Sequence, residues 1–186
     1  STVISGDAPG VVAEYVEEKT GVAMLYFNGA AGNIAPLYST RTEAEVKLLS
    51  QFKVLLGDPI LDANRRLRTT TDVVKLRASR IVVETPKRPQ LKWSDDLKDY
   101  LRVSPDGTET LLIPVRFLSI NEDTVIWSAP LELFCEISNE IRDRSPFANT
   151  FYFGYTNGSL CYLPTEQEYM AGGYEPKTSP FTASAA

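Results

Sequence analysis

LLIPVRFLSI at residues 111–120 and TVIWS at 124–128 are separated by the turn residues Asn121, Glu122 and Asp123. Branched and aromatic side chains fit the surface of a pleated sheet, so the stretch predicts two strands joined by a turn. Residues 72–84 are also rich in Val, Leu and Ile, and the Thr-Pro that follows is expected to end a strand there. The centre of the chain is therefore predicted to form a sheet.

Helical periodicity occurs on both sides of this central stretch. It predicts helices in four segments: one from near Asp7 to residue 20, and residues 42–56, 60–67 and 131–144. Asp7 offers a capping carboxylate to the first, and Thr42 with Glu45 forms a capping box for the second. Gly21 and Gly57 are expected to end these two helices, since glycine accepts the left-handed conformation of a helix stop.

Shorter apolar runs predict further strands, at residues 22–27, 150–155 and 160–163. The first run is apolar throughout, which is typical of a strand buried on both faces. Helical turns are expected at 93–101 and at 165–168, where Gly172 and Gly173 end the second, and residues 178–186 are expected to fray. Helices and strands in this order, without a repeat, predict an α/β class with mixed sheets flanked by helices.

Composition excludes some functions. A content of 43% apolar and 23% charged residues is ordinary for one globular domain, while a net charge of −5 without a basic cluster argues against a nucleic-acid partner. The apolar runs fall short of the ~20 residues that span a bilayer. The first residues lack the basic and apolar regions of a signal peptide.

The chain contains no histidine. It therefore lacks the usual general base and the commonest zinc ligand, so it cannot alone build a Ser-His-Asp triad or a histidine metal site. Its two cysteines, Cys135 and Cys161, are compatible with a disulfide or with two free thiols, and free thiols are more common in a domain of this size. Either the chain is not an enzyme, or part of the enzyme lies outside these residues.

Several residues have the chemistry of a site, although each has a commoner structural explanation. Glu132 is placed in the first turn of a predicted helix, where the dipole favours a carboxylate by ~0.3–1 kcal/mol. Tyr162, Tyr169 and Tyr174 are ordinary candidates for packing with a surface hydroxyl. The loop at 28–36 has small side chains that allow close backbone approach.

Segments that occur in one order along the chain resemble the neutral ceramidase family. They are SGDAPG at 5–10, GAAGNIAP at 29–36, PLE at 130–132, GYTN at 154–157, YLPT at 162–165, EY at 168–169 and GYE at 173–175. The second resembles the family's Gly-Asp-x-Ser-Pro loop, the third its Pro-Gly-Glu segment, and the last three its paired tyrosine motifs.

This resemblance implies a zinc amidohydrolase whose Zn²⁺ is held by two histidines, a glutamate and a tyrosine. The last two ligands fall on Glu132 and Tyr162. A position left to water allows zinc to lower the pKa of that water towards ~7 and so activate it to attack an amide carbonyl. Tyr174 matches a tyrosine beside the substrate amide, where it would act in catalysis by donating a hydrogen bond to the developing oxyanion.

The resemblance also implies that residues 1–186 are the C-terminal portion of a ceramidase-like catalytic domain. The metal-binding histidines would then lie in an N-terminal portion that is absent from these residues. An extracytoplasmic location, secreted or periplasmic, and a possible contact with a membrane surface follow from the same resemblance.

The substrate that the resemblance implies is an N-acyl lipid, as in sphingolipid metabolism, or a related N-acyl compound. The loop expected to bind this substrate departs from the family: Asn33 and Ala35 stand where ceramidases carry Asp and Ser. The hydroxyl placed at the substrate is therefore missing. A catalytically silent binding or interaction domain with the family fold is the alternative.

Overall fold

The structure, a computed structural model, describes residues 4–35, 49–68, 72 and 74–186. The capping box predicted at Thr42 and Glu45 lies outside the described residues. The chain divides into two units, the first formed by residues 1–27 and 36–73 and the second by residues 28–35 and 74–186. No helix in the described ranges is long and apolar enough to cross a membrane.

Helix α1, Asp7–Thr20, opens the first unit. It ends at Gly21, whose φ of 71° is left-handed as predicted. The capping role predicted for Asp7 is wrong, because the N-cap is Gly6 and Asp7 is already helical. The Asp7 N–H instead donates to the Ser5 hydroxyl over 3.1 Å.

The helix end predicted at Gly57 is also wrong. A π-helical turn, Lys53–Gly57, continues into helix α2, Asp58–Arg66, and Gly57 has φ −62° and ψ −49°. A β-carbon at Gly57 would lie 2.5 Å from a ring carbon of Tyr15, whose hydroxyl donates to Asp58 over 2.8 Å. Glycine is needed here for close packing of Tyr15 and not for a left-handed turn. Helix α2 agrees with the helix predicted at 60–67.

The buried strand predicted at residues 22–27 is wrong. These residues form no strand with any described segment, and Leu25 is 78% exposed. The Met24 N–H donates to the Glu17 carboxylate over 2.8 Å, where a strand partner would have offered a carbonyl. An apolar run becomes a buried strand only when neighbouring strands cover it, and the run itself carries no information about them.

A mixed sheet dominates the second unit. Its strands are β1 (Leu76–Pro86), β2 (Leu101–Val103), β3 (Glu109–Ile120), β4 (Thr124–Ser128) and β6 (Asn149–Phe153). The order is β1-β3-β4-β6, with β2 also paired to β3; only the β4–β6 pair is parallel. The predicted hairpin is confirmed, with Ile120 opposite Thr124. The fold class is a mixed sheet flanked by helices, as predicted.

Helices α3 (Cys135–Asp143), α4 (Glu166–Ala171) and α5 (Tyr174–Thr178) belong to the same unit. Helix α4 ends at Gly172 as predicted, with φ 78°. The helix predicted at 131–144 starts only at Cys135, because Glu132–Leu133 forms strand β5, which pairs with β7, Tyr162–Leu163. The helix predicted at 93–101 is reduced to one 3₁₀ segment, Asp95–Tyr100, followed by β2.

One face of the large sheet carries the core. Its buried residues include Ile113, Val115, Trp127 and Tyr152, which alternate with less buried neighbours as expected for strands. The fraying predicted for residues 178–186 is wrong, because the fully buried Phe181 joins this core. The free energy gained by burying an apolar side chain in the core exceeds the tendency of a terminal segment to fray.

A buried cation, Lys87, directly follows β1 and pairs with the first residue of β3. The Lys87 side chain is 2% exposed, and its ammonium donates to the Glu109 carboxylate over 2.7 Å. Glu109 itself is 40% exposed. A buried ammonium without its carboxylate is costly, so the ion pair is needed for the β1–β3 end of the sheet.

We expect Glu109→Gln to lower the free energy of unfolding by about 2 kcal/mol, less than for a fully buried pair because Glu109 is partly solvated. Urea unfolding measures the change. Glu84→Gln, which breaks the exposed pair with Arg102, is the control and should have a smaller effect. Equal losses in the two variants would contradict the structural role of Lys87.

Candidate metal site

Two short strands bring the predicted metal ligands together. Strands β5 and β7 run parallel, with Glu132 opposite Tyr162 and Leu133 opposite Leu163. The Glu132 N–H donates to the Cys161 carbonyl over 3.0 Å, and the Phe134 N–H donates to the Leu163 carbonyl over 3.2 Å. Residues far apart in the chain are therefore neighbours on one small sheet.

This arrangement corrects the local setting predicted for Glu132. The residue lies in strand β5 and not in the first turn of a helix. The predicted stabilisation of a first-turn carboxylate by the helix dipole therefore does not apply to Glu132. Its carboxylate instead faces phenol groups, which are hydrogen-bond donors.

The Tyr162 phenol lies near enough to the Glu132 carboxylate for a hydrogen bond between them to act on the pKa of the phenol. Loss of solvent around the phenol, followed by this hydrogen bond and the negative charge of Glu132, raises the pKa of Tyr162 well above its ordinary value near 10. The raised pKa favours the protonated phenol in the metal-free site.

Two further tyrosines complete the group. The Tyr155 hydroxyl donates to Glu132 Oε2 over 3.3 Å, and the backbone of Tyr155 is left-handed with φ 56°. Tyr174, the first residue of α5, packs edge-on against Tyr162, with ring centroids 6.1 Å apart. Tyr174 is 67% exposed. Glu132 thus lies beside Tyr155 and Tyr162, and both Tyr155, which is 42% exposed, and Tyr174 can be reached from solvent.

Tyr155 is a contact that the sequence pattern does not predict. It follows the end of β6 within the segment GYTN, and its left-handed backbone turns the side chain towards Glu132. The signals in the sequence are its position directly after a glycine at a strand end and its place in the GYTN segment.

The loop at residues 28–35 lies along β5. The Gly32 N–H donates to the Leu133 carbonyl over 2.8 Å, and the Gly154 N–H donates to the Asn28 carbonyl over 2.9 Å. A β-carbon on Gly32 would overlap the backbone carbonyl of Glu132. Glycine at this position is therefore what allows the loop to approach the strand that carries Glu132.

Asn33 and Ala35, the predicted substrate-binding residues, have different settings. The Asn33 side chain accepts from the Cys135 N–H over 2.9 Å and donates to Glu136 over 2.7 Å, which ties the loop to the start of α3. Ala35 is exposed at the end of the loop. The structure brings Glu132, Tyr162 and Tyr174 together, whereas the polar groups of Asn33 are directed at α3.

The donor chemistry fits part of a zinc site. Zinc accepts carboxylate oxygens, and it is usually held by three or four protein ligands. Glu132 and Tyr162 offer two adjacent oxygens, but the residues that the structure describes contain no cluster of three His, Cys, Asp or Glu side chains able to hold a metal. Cys135 and Cys161 are free thiols. The described chain thus holds adjacent oxygens at the two positions, Glu132 and Tyr162, that the resemblance implies as ligands.

Comparison with solved structures defines the class of fold as that of the neutral ceramidases. The whole chain superposes on 39% of the neutral ceramidase from Pseudomonas aeruginosa, with a TM-score of 0.68 and 14% sequence identity. It also superposes on 40% of a ceramidase complexed with C2, with a TM-score of 0.69 and 14% identity. The chain therefore has a ceramidase-like fold and spans about two fifths of the length of these proteins. No protein-family model and no curated protein matches it.

We expect Gly32→Ala to destabilise the second unit by about 2–3 kcal/mol, because the new methyl group meets a backbone carbonyl that cannot rotate away. Thermal or urea unfolding measures the loss. Gly29→Ala in the same loop is the matched control, since a β-carbon there meets no atom within 4 Å. Two equally stable variants would contradict the close approach of loop and strand.

We expect Glu132→Gln to lower the pKa of Tyr162 in metal-free protein, because the variant removes a negative charge and an ionic hydrogen-bond acceptor. Carbon NMR of ring-labelled tyrosine, followed against pH, reports the change at Tyr162. Glu140→Gln on the exposed side of α3 serves as the control. An unchanged titration of Tyr162 would show that the two side chains do not interact.

Proposed function

We propose that the chain forms part of a zinc-dependent amide hydrolase of the neutral ceramidase type, acting on an N-acyl lipid or a related N-acyl compound. The observation that carries the proposal is the pairing of Glu132 with Tyr162 on adjacent strands of a ceramidase-like fold. The histidines would come from polypeptide outside these residues, and the location would be extracytoplasmic.

Glu132 and Tyr162 are the proposed zinc ligands. When bound, zinc polarises a carbonyl and activates water for attack on an amide. Tyr155 holds the Glu132 carboxylate through its hydrogen bond and so orients this ligand. Tyr162 has to lose its proton to coordinate a cation, and the positive charge of that cation opposes the effect of Glu132 on its pKa.

Tyr174 is the proposed catalytic hydrogen-bond donor. Its ring packs against Tyr162 while most of its side chain is exposed, so its hydroxyl can meet a substrate beside the ligands. A hydroxyl in that position can donate to the oxygen on which negative charge develops when the amide carbonyl is attacked. Edge-on packing is a favourable arrangement of two aromatic rings, and it keeps the Tyr174 ring beside Tyr162.

Residue 35 bears on the substrate. A methyl group cannot form the hydrogen bond that a serine hydroxyl would offer, and the amide of Asn33 is already occupied by Cys135 and Glu136. We therefore propose an N-acyl substrate whose polar part is bound without help from this loop. Ala35 also favours the second candidate, a silent binding module with the same fold.

The test measures zinc content and hydrolysis in the complete gene product. N-acylsphingosines and N-acyl amino acids are the substrates, and Glu132→Ala is compared with Glu140→Ala on the exposed side of α3. We expect Glu132→Ala to lose the zinc and at least ~10²-fold in kcat/KM, since even residues that only orient ligands are worth 10–100-fold. Glu140→Ala should match the parent protein, and Tyr155→Phe should lose about 10-fold.

Three outcomes decide between the candidates. Zinc binding that depends on Glu132, together with turnover, supports the hydrolase. Zinc binding without turnover of any N-acyl compound favours the silent module, and recovery of turnover in Ala35→Ser would then identify the missing hydroxyl as the cause. Absence of zinc contradicts the metal site altogether.

A further inference from the structure

The large sheet has a second face, opposite the core, which we call the outer face. The strand register places on it Leu76, Ala78, Arg80 and Val82 of β1, Arg116 and Leu118 of β3, Ile126 of β4 and Phe151 of β6. An open depression of about 590 Å³ occupies its centre, lined by Ala78, Arg80, Arg116, Leu118, Ile126 and Phe153. The face is apolar with two cations at its middle.

Much of this apolar surface is exposed. Leu76 is 62% exposed and Val82 is 54% exposed. Phe151, on strand β6 at the opposite edge of the same face, is 52% exposed. Sheets normally bury an apolar face against another layer, and long apolar edge strands such as β1 are normally covered. The outer face therefore has the properties of an interface without its partner.

The charges on the outer face are unbalanced. Arg80 and Arg116 lie directly opposite each other on β1 and β3, an arrangement in which like charges repel. Among the described residues, Arg116 Nη1 is buried and has no hydrogen-bond partner. By contrast Glu84, also on β1, pairs with Arg102.

A second buried polar atom in the same depression also lacks a hydrogen-bond partner. Thr156 Oγ1 is buried and without a hydrogen-bond partner among the described residues, and Thr156 lines the same depression as Arg116. A hydroxyl and a guanidinium can both donate to one carboxylate, and two parallel bonds from arginine are favoured by geometry. Buried donors of this kind are costly unless an acceptor reaches them.

We propose that the outer face binds a polypeptide segment that presents an Asp or Glu carboxylate, surrounded by apolar side chains, to Arg116 and Thr156. The carboxylate neutralises the facing arginines, and its apolar neighbours cover Leu76, Val82 and Phe151. The segment belongs to the polypeptide that builds the part of the ceramidase-like fold beyond the two fifths spanned here.

Other occupants fit less well. A second copy of this chain, placed face to face, would bring four arginines together and increase the repulsion. A small anion would satisfy Arg116 but would leave the apolar surface exposed to water. The proposal rests on the same structural likeness as the proposed function, but it requires neither zinc nor hydrolysis.

The test places a reactive amine at the depression. Arg116→Lys in the complete gene product is treated with a water-soluble carbodiimide, which joins an amine to a carboxylate in contact with it. Mass spectrometry then identifies the linked peptide. Arg77→Lys is the matched control, because Arg77 lies on β1 but faces the other side of the sheet, opposite Ser119.

We expect Arg116→Lys to be linked to an Asp or Glu outside residues 1–186, and Arg77→Lys not to be linked to that residue. In the unsubstituted protein, Arg80, which is exposed in this chain and lies on the outer face, should react with a dicarbonyl reagent at least ~10-fold more slowly than Arg77, because the bound segment covers it. The linkage and the protection should persist in Glu132→Ala protein, which separates this result from failure of the metal site.

Other results would overturn the proposal. A link to a carboxylate within residues 1–186 would indicate the chain itself or a second copy as the occupant. Protection of Arg80 that appears only with added phosphate or citrate would indicate a small anion. Equal reactivity of Arg80 and Arg77, with no link, would show that the outer face is uncovered.

Discussion

The parallel pairing of β5 with β7 is the interaction on which the candidate site depends. Each strand has two residues, so the pairing is stabilised by its surroundings: Leu133 and Leu163 are buried in the core, and the Leu160 N–H donates to the Pro130 carbonyl over 2.6 Å. The loop at 28–35 supports the other side of β5 through Gly32. A carboxylate and a phenol are held together by backbone geometry and core packing before any ligand binds.

Local features of the fold could be predicted because their causes lie within a few residues. The hairpin after β3 and the stops at Gly21 and Gly172 follow from turn chemistry and from the freedom of glycine. Predictions failed where a distant segment decides the outcome. Gly57 is needed because a β-carbon there would overlap the ring of Tyr15. Residues 22–27 lack a covering strand among the described residues.

The candidate site shows the same division. The ordered motifs identified Glu132 and Tyr162 by resemblance. The helical periodicity of residues 131–144, however, predicted too early a start for α3, because residues 132 and 133 pair with strand β7 through backbone hydrogen bonds. Tyr155 reaches Glu132 through a left-handed backbone, and Asn33 turns towards α3. Neither direction can be derived from spacing, because each depends on what the fold brings near.

The proposed role of Glu132 and Tyr162 is to form the half of a zinc site that this chain would contribute. Its most direct test is a crystal structure of the complete gene product, with anomalous scattering measured at the zinc edge. We expect a zinc peak with oxygens of Glu132 and Tyr162 at ~2.0–2.2 Å, the usual range for oxygen ligands. A map without zinc beside these two side chains would contradict it.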